Sequence, residues 1–235
     1  MDRLAGAVEL LDGPLEDDQL AGNLRDLSRV NRLLGGAELS WRAVQLSLGA
    51  RGGGQVTLLD VGTGAADIPR HLLRRGTAAG LTLHVRATDV RAEIVAAAQA
   101  MAGRSERLTI ELLEDLSGLP TGSYDLVHAS LVLHHLEPAP AGRLLAEMGR
   151  VARRAVIVND LDRARRWWLG AWLLSRLATA NRYTRHDAAL SVRRAYRPNE
   201  LSALAARSGL VEVGRLRGLL GHRYALVFRP AARTG

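Results

Sequence analysis

The chain has 235 residues, 47% hydrophobic and 24% charged, a composition that fits one α/β domain with a full core. The longest uncharged run, Leu126 to Leu136, falls well short of the about 20 apolar residues a membrane span requires, and the absence of cysteine excludes disulfides, thiolate metal centres and thiol nucleophiles. All 32 basic residues are arginine, which excludes lysine Schiff-base chemistry and a P-loop, and the net charge is +8.

The N-terminus reads Met1-Asp2-Arg3 and turns acidic at Glu16-Asp17-Asp18. It lacks a basic-then-apolar leader pattern, so a cytoplasmic location is expected. Leu20, Leu24, Leu27, Val30 and Leu34 recur at helical spacing, predicting an amphipathic helix over 16–34 that stops at Gly35-Gly36. A second helix over about 38–49 runs into the loop Arg51-Gly52-Gly53-Gly54.

The pattern then changes to alternating strands and helices. Val56 to Val61 reads as a buried strand ending in a glycine turn, and Ile68 to Arg75 as a helix with Pro69 in its first turn. Strands follow at Leu81–Thr88, Leu108–Leu112, Tyr124–Ala129 and Ala155–Val158, separated by helices at Arg91–Ala102 and 140–152. Such alternation predicts parallel βαβ units with helices on both faces of the sheet. Beyond Asp160 one long helix is expected over 163–182. Pro198 opens another, and strands at about 210–216 and 222–228 form a closing antiparallel hairpin.

Asp60-Val61-Gly62-Thr63-Gly64-Ala65-Ala66 lies at a strand-to-helix junction, where glycines let backbone approach a ligand closely. Asp89 ends the following strand, where a carboxylate can accept both hydroxyls of a ribose. Asp67 stands where the third glycine of a dinucleotide fingerprint would be, and a negative side chain there suits a pyrophosphate poorly. Two acids and no phosphate site suit a cationic nucleoside, which is the character of S-adenosylmethionine (SAM).

Five motifs in order resemble the class I SAM-dependent methyltransferases over roughly residues 55–228. They are Leu58-Leu59-Asp60-Val61-Gly62-Thr63-Gly64, then Asp89, then Glu114-Asp115-Leu116 with Leu119-Pro120. Ser123-Tyr124-Asp125-Leu126-Val127 with Leu133-His134-His135-Leu136 follows, and last Tyr196-Arg197-Pro198-Asn199-Glu200-Leu201. The third glycine is replaced by Ala66, and the usual Arg-Pro-Gly-Gly turn before the fifth strand is missing. The resemblance implies a Rossmann-like, doubly wound, seven-stranded sheet, mostly parallel, with a C-terminal antiparallel hairpin, a helical N-terminal extension and a helical lid insertion. It divides a single domain into an N-terminal cap (1–54), a SAM-binding core (55–160), an arginine-rich lid (161–197) and a closing helix and hairpin (198–235). The cofactor contacts it implies are Asp60, Gly62, Thr63, Gly64, Asp89, Val90, Asp115, Leu116 and Ser130. Upstream, Asn31-Arg32-Leu33-Leu34-Gly35 with Trp41-Arg42 resembles the N-terminal segment of menaquinone/ubiquinone C-methyltransferases.

Methyl transfer from a sulfonium needs alignment, and a base only when the acceptor atom holds its proton tightly. With no Cys or Lys, His134 and His135 are the first candidates, because they follow the fourth strand at the edge where open α/β sheets bind ligands. His186, beside Asp187, is another, although adjacent side chains are expected to orient each other poorly. Asn159 and Asp160 end the fifth strand at the same edge and either bind substrate or satisfy the strand end. No metal ligand set is expected.

Charge is concentrated near the end of the chain. From Arg150 to Arg197 there are twelve arginines against three aspartates, a local net charge of +9. Three readings of this segment stay open: a lid burying Trp167, Trp168 and Trp172 on the domain; an interfacial helix over 163–180 touching a membrane periphery; and an anion-binding lid for a carboxylate, phosphate or carrier-bound acyl chain. As a substrate lid, the segment would bring Arg193 or Arg194, with His186 or Tyr183 and Trp168, near the methyl group. The function expected is methyl transfer to a small-molecule acceptor, foremost an oxygen of an aromatic or polyketide-like metabolite. C-methylation of a quinone precursor is the alternative, and RNA methylation a third that clustered arginines favour electrostatically. No specific nucleic-acid partner is expected.

Overall fold

The computed structural model describes residues 1–13, 17–49 and 54–231, without the side chains of Asp17 and Asp18. The side chains of the Glu16–Asp18 acidic run and the loop residues 51–53 lie outside this set. Two helices come first, α1 (Asp17–Leu33) and α2 (Gly36–Leu48). Gly36 begins the second helix, and Gly35 makes the corner with a left-handed φ of 76°.

The α/β body runs β1 (Gln55–Val61), α3 (Asp67–Ala78), β2 (Thr82–Asp89), α4 (Ala92–Ala102), β3 (Leu108–Leu112), β4 (Tyr124–Ser130), α5 (Pro138–Val151) and β5 (Ala152–Leu161). After it come α6 (Arg165–Ala178), α7 (Arg182–Arg194), α8 (Pro198–Arg207), β6 (Leu210–Arg217) and β7 (Arg223–Pro230). The sheet order is β3-β2-β1-β4-β5-β7-β6. Strand β7 pairs antiparallel with both β5 and β6, and the other pairs are parallel, as expected for a doubly wound sheet closed by a hairpin.

Side chains alternate across each strand, so neighbouring residues feed different cores. Leu59, Val127, Val156, Val158 and Phe228 pack under Leu145 and Met148 of α5 and Leu201 of α8. Leu58, Leu126, Ile157 and Val227 pack on the other face under Trp41 and Val44 of α2 and Leu72 of α3. At about 1.5–3 kcal/mol for each fully buried large apolar side chain, these two layers are the main cohesive term.

One expected element is different. The single helix over 163–182 is two helices, broken at Thr179-Ala180-Asn181. Asn181 takes an extended conformation and its side chain accepts the Thr184 N–H at 3.0 Å, an N-cap that starts α7 afresh. Thr179 Oγ1 is held by Asp26 of α1, which fixes the corner.

Candidate functional site

The C-terminal ends of β1, β2, β4 and β5 form one edge, and the turn after β1 is its floor. Gly62, Gly64 and Ala66 all have left-handed φ, at 69°, 54° and 51°. A side chain on Gly62 would stand 2.5 Å from Val132 Cγ2, so only glycine lets the segment after β4 pack onto this turn. The Thr63 hydroxyl is buried without a hydrogen-bond partner among the described residues.

Asp89 is buried at the end of β2. Its Oδ2 accepts the Gly64 N–H at 3.2 Å and its Oδ1 the Arg91 N–H at 3.3 Å. Each oxygen keeps a lone pair for a diol. Burial, opposed by those N–H groups, raises its pKa. Val90 beside it is 61% exposed, an apolar surface next to the carboxylate. Asp115 is fully exposed, held by the backbone and hydroxyl of Ser117, which lowers its pKa. The Leu116 side chain joins the core instead.

Asp60 faces away from open space. Its Oδ1 lies 2.6 Å from His128 Nδ1, and His128 Nε2 lies 2.9 Å from the Ser40 hydroxyl. Asn159 belongs to the same buried network. Its amide donates to Gly36 O and Ser40 Oγ, each at 2.8 Å, and its oxygen accepts Arg223 Nε at 3.2 Å. Every polar group of the Asn159 side chain is therefore used in tying α2 to the strand end, the second of its two expected roles. Ser130 is likewise engaged, accepting Arg223 Nη2 at 2.9 Å. Burial brings Arg223 down to about 10, against the pull of Asp160 and Asp67.

Above this floor sits a cluster of carboxylates and imidazoles. Leu131, at φ 58°, turns the chain out of β4 and into a short 3-10 turn, Leu133–His135. A non-glycine residue in that region is strained, and such residues concentrate at functional sites. His134 is buried, and its Nδ1 lies 2.7 Å from Asp160 Oδ1. Burial works against the Asp160 charge, yet His134 outweighs it and holds the carboxyl below its ordinary range. His134 Nε2 faces Glu9 Oε1 at 3.9 Å, and His135 Nδ1 lies 2.9 Å from Asp12 Oδ1.

Glu9 and Asp12 were not among the sequence candidates. Glu9 precedes and Asp12 ends the 3-10 turn Leu10–Asp12, and the backbone N–H groups of Leu10 and Leu11 donate to the two oxygens of Asp187 on α7, at 2.8 and 3.1 Å. Burial raises Glu9 to about 7, and its Oε1 has no hydrogen-bond partner among the described residues. Burial also opposes the Asp12 charge, but His135 and Arg194 overcome it and hold Asp12 at about 2. Ligand atoms of Glu9, His134 and His135 all lie within 4.8 Å of one another, a spacing open to a metal ion, but the Arg194 guanidinium already brings positive charge to 3.7 Å from Glu9.

The arginine-rich segment divides sharply. Arg194 is buried, pairs with Asp12 at 3.0 Å and donates to the His135 carbonyl. Arg193, expected with Arg194 as a substrate contact, is exposed, and among the described residues its side chain has no hydrogen-bond partner; its backbone carbonyl accepts the Leu4 N–H at 3.0 Å. Tyr183 is buried in α7 and Trp168 is half-buried on α6. His186 is half exposed, yet its Nδ1 lies 2.7 Å from Asp187 Oδ1, so the adjacent pair does orient itself, contrary to expectation.

Residues 58–155 match the methyltransferase domain family. The match is confined to those residues, and the fold built around them is shared with SAM-dependent methyltransferases. A SAM-dependent methyltransferase from Aquifex aeolicus superposes on it with a TM-score of 0.63 at 18% identity, over 92% of this chain and 98% of that one. Human N-acetylserotonin methyltransferase, solved with SAM, gives 0.68 at 17% identity over 92% of this chain and 57% of its own. An O-methyltransferase family 2 protein from Planctomyces limnophilus, solved with apigenin, gives 0.65 at 18% identity over 94% and 63%. This chain thus spans less than two thirds of the latter two chains. At such identities the likeness is one of fold. No curated protein sequence matches it. The likeness of residues 31–42 to quinone-pathway enzymes finds no counterpart in these matches.

The site fits SAM by its own chemistry. The left-handed glycine turn leaves backbone rather than side chain facing the edge, Asp89 keeps lone pairs for a ribose, Val90 offers an apolar surface, and the orphaned Thr63 hydroxyl awaits a partner. These residues would hold the nucleoside, and the sulfonium, when bound, supplies an electrophilic methyl group.

Proposed function

We propose that the protein transfers the methyl group of SAM to a hydroxyl oxygen of an aromatic or polyketide-like small molecule. The observation that carries this reading is the buried His134–Asp160 pair, 2.7 Å apart, which joins the end of β5 to the turn after β4, where Val132 packs on the glycine turn. Asp160, its carboxyl held below the ordinary range, occupies Nδ1, so His134 Nε2 is aimed away from the strand end, toward Glu9. An imidazole held in that way takes a hydroxyl proton as the oxygen attacks, and the carboxylate behind it stabilises the imidazolium. Positioning of this kind contributes about 10²–10⁴ in rate. The two structural neighbours named with N-acetylserotonin and apigenin are consistent with an aromatic acceptor.

The test is product chemistry. The purified protein is incubated with SAM carrying a ¹³C methyl group and a panel of phenolic and polyketide-like acceptors, and the products are read by NMR. A methoxy carbon supports the reading. Products labelled only at carbon move the enzyme to C-methylation, and label entering RNA but none of the small molecules replaces the small-molecule reading altogether.

A further inference from the structure

Helix α6 is poorly buried for its composition. Among its 14 residues Ser175 alone is buried, whereas Leu169, Trp172, Leu173, Leu174 and Leu177 are exposed at 55%, 38%, 49%, 43% and 78%. The turn between β6 and β7 continues this surface. Gly221 packs against Trp167 at the start of α6, and Leu219 and Leu220 are 86% and 55% exposed. Scattered exposed leucines are ordinary, but seven large apolar side chains on one helix and its neighbouring turn mark an interaction surface.

The charge on the surface says what kind of partner fits. No Asp or Glu occurs between Arg163 and His186. Arg165, Arg166 and Arg176 are exposed, and among the described residues none has a carboxylate within ion-pair distance. Arg166 lies 4.7 Å over the Trp167 ring and Arg176 lies 4.2 Å over Trp172. Arginine stacked on tryptophan joins an apolar body to a cationic tip that donates bidentately to phosphate.

We propose that α6 and the 218–221 turn dock the protein on an anionic phospholipid surface, with α6 lying in the headgroup plane. The leucines and Trp172 enter the acyl boundary and the arginines meet lipid phosphates. The helix lies on the bilayer and does not cross it, since at 14 residues it is too short to span. A second copy of this chain is the weaker occupant. A two-fold interface sets the same patch against itself, which would face unpaired arginines with unpaired arginines and supply no acid. Docking by α6 is independent of which atom the enzyme methylates.

Vesicle co-sedimentation tests it, with protein mixed with vesicles of phosphatidylcholine alone or with phosphatidylglycerol, at low and high salt. Binding is expected to the anionic vesicles, about 100-fold weaker without the anionic lipid, and weakened by salt. Leu173→Glu with Leu177→Glu should abolish it, and Arg165→Gln, Arg166→Gln and Arg176→Gln together should erase the preference for anionic lipid. Circular dichroism melts check that the variants fold; should they not, quenching of tryptophan fluorescence in the unaltered protein by brominated lipid reads insertion directly. No binding to anionic vesicles, no quenching, binding indifferent to headgroup charge or to the leucine changes, or a stable dimer in solution that the leucine changes dissociate would each overturn the proposal.

Discussion

Asp12 and Arg194 meet at 3.0 Å across 182 residues of sequence, and their contact closes the N-terminal segment over the carboxylate–imidazole cluster. Arg194 is buried while Asp12 is a third exposed, so the pair is only partly shielded from water. Replacing Arg194 by Met leaves Glu9 and Asp12 without their guanidinium and is expected to cost about 2 kcal/mol. Equilibrium urea unfolding measures it. Asp12→Asn with Arg194→Met should cost less than the two singles added, and strict additivity would show that the pair is not coupled. Arg193→Ala is the control: exposed and without a side-chain partner among the described residues, it should stay within about 0.5 kcal/mol and leave kcat/KM unchanged.

Asp89→Ala should weaken SAM binding by about 1–3 kcal/mol, the cost of leaving two hydroxyls facing a site without its acceptor. Gly64→Val should do at least as much damage, because a β-branched residue resists the left-handed φ of 54°. Titration calorimetry reads both. SAM affinity unchanged in Asp89→Ala would displace the cofactor from this turn.

Asp160→Asn should lower kcat with little change in SAM affinity, because an amide at 2.7 Å can no longer hold His134 in the tautomer that leaves Nε2 free. His134→Ala should lower kcat by about 10²–10⁴. Steady-state kinetics with a competent acceptor, alongside SAM calorimetry, separates the two effects. Equal loss of SAM binding and turnover would make the pair a structural support and not a catalytic one.

His222 gives the fold a pH dependence of known sign. Burial, reinforced by Arg223, lowers it from 6.5 to about 4, and neither ring nitrogen has a partner among the described residues. Between those values the unfolded chain takes up a proton that the folded chain refuses. Its contribution is therefore complete above about pH 6.5 and is lost as pH falls toward 4. Thermal melts should show the advantage of His222→Phe over the unaltered protein growing across that window. A difference independent of pH would mean that His222 already ionises freely in the fold.

What the sequence determined by itself is what short-range physics writes into neighbouring residues. The alternation of Val/Leu strands with helices, the glycine turn at 62–64 and the acid at Asp89 are each legible within a few residues, since strand period, helix period and left-handed turns are local properties. The position of His134 at the sheet edge follows from those elements. The break at Asn181 was also local, an Asn followed three residues later by Thr, but the continuing helical spacing of arginine and tryptophan masked it. Tertiary structure alone decided which charged groups share the site. Glu9 and Asp12 reach His134 and His135 only because Asp187 and Arg194, more than 170 residues away, hold the N-terminal segment down. The burial that carries Glu9 to about 7, exposes Arg193 and hides Arg194 next to it is set by which helix face meets the body. Periodicity records that a residue lies on a helix, while its electrostatics depend on what the rest of the chain packs against it.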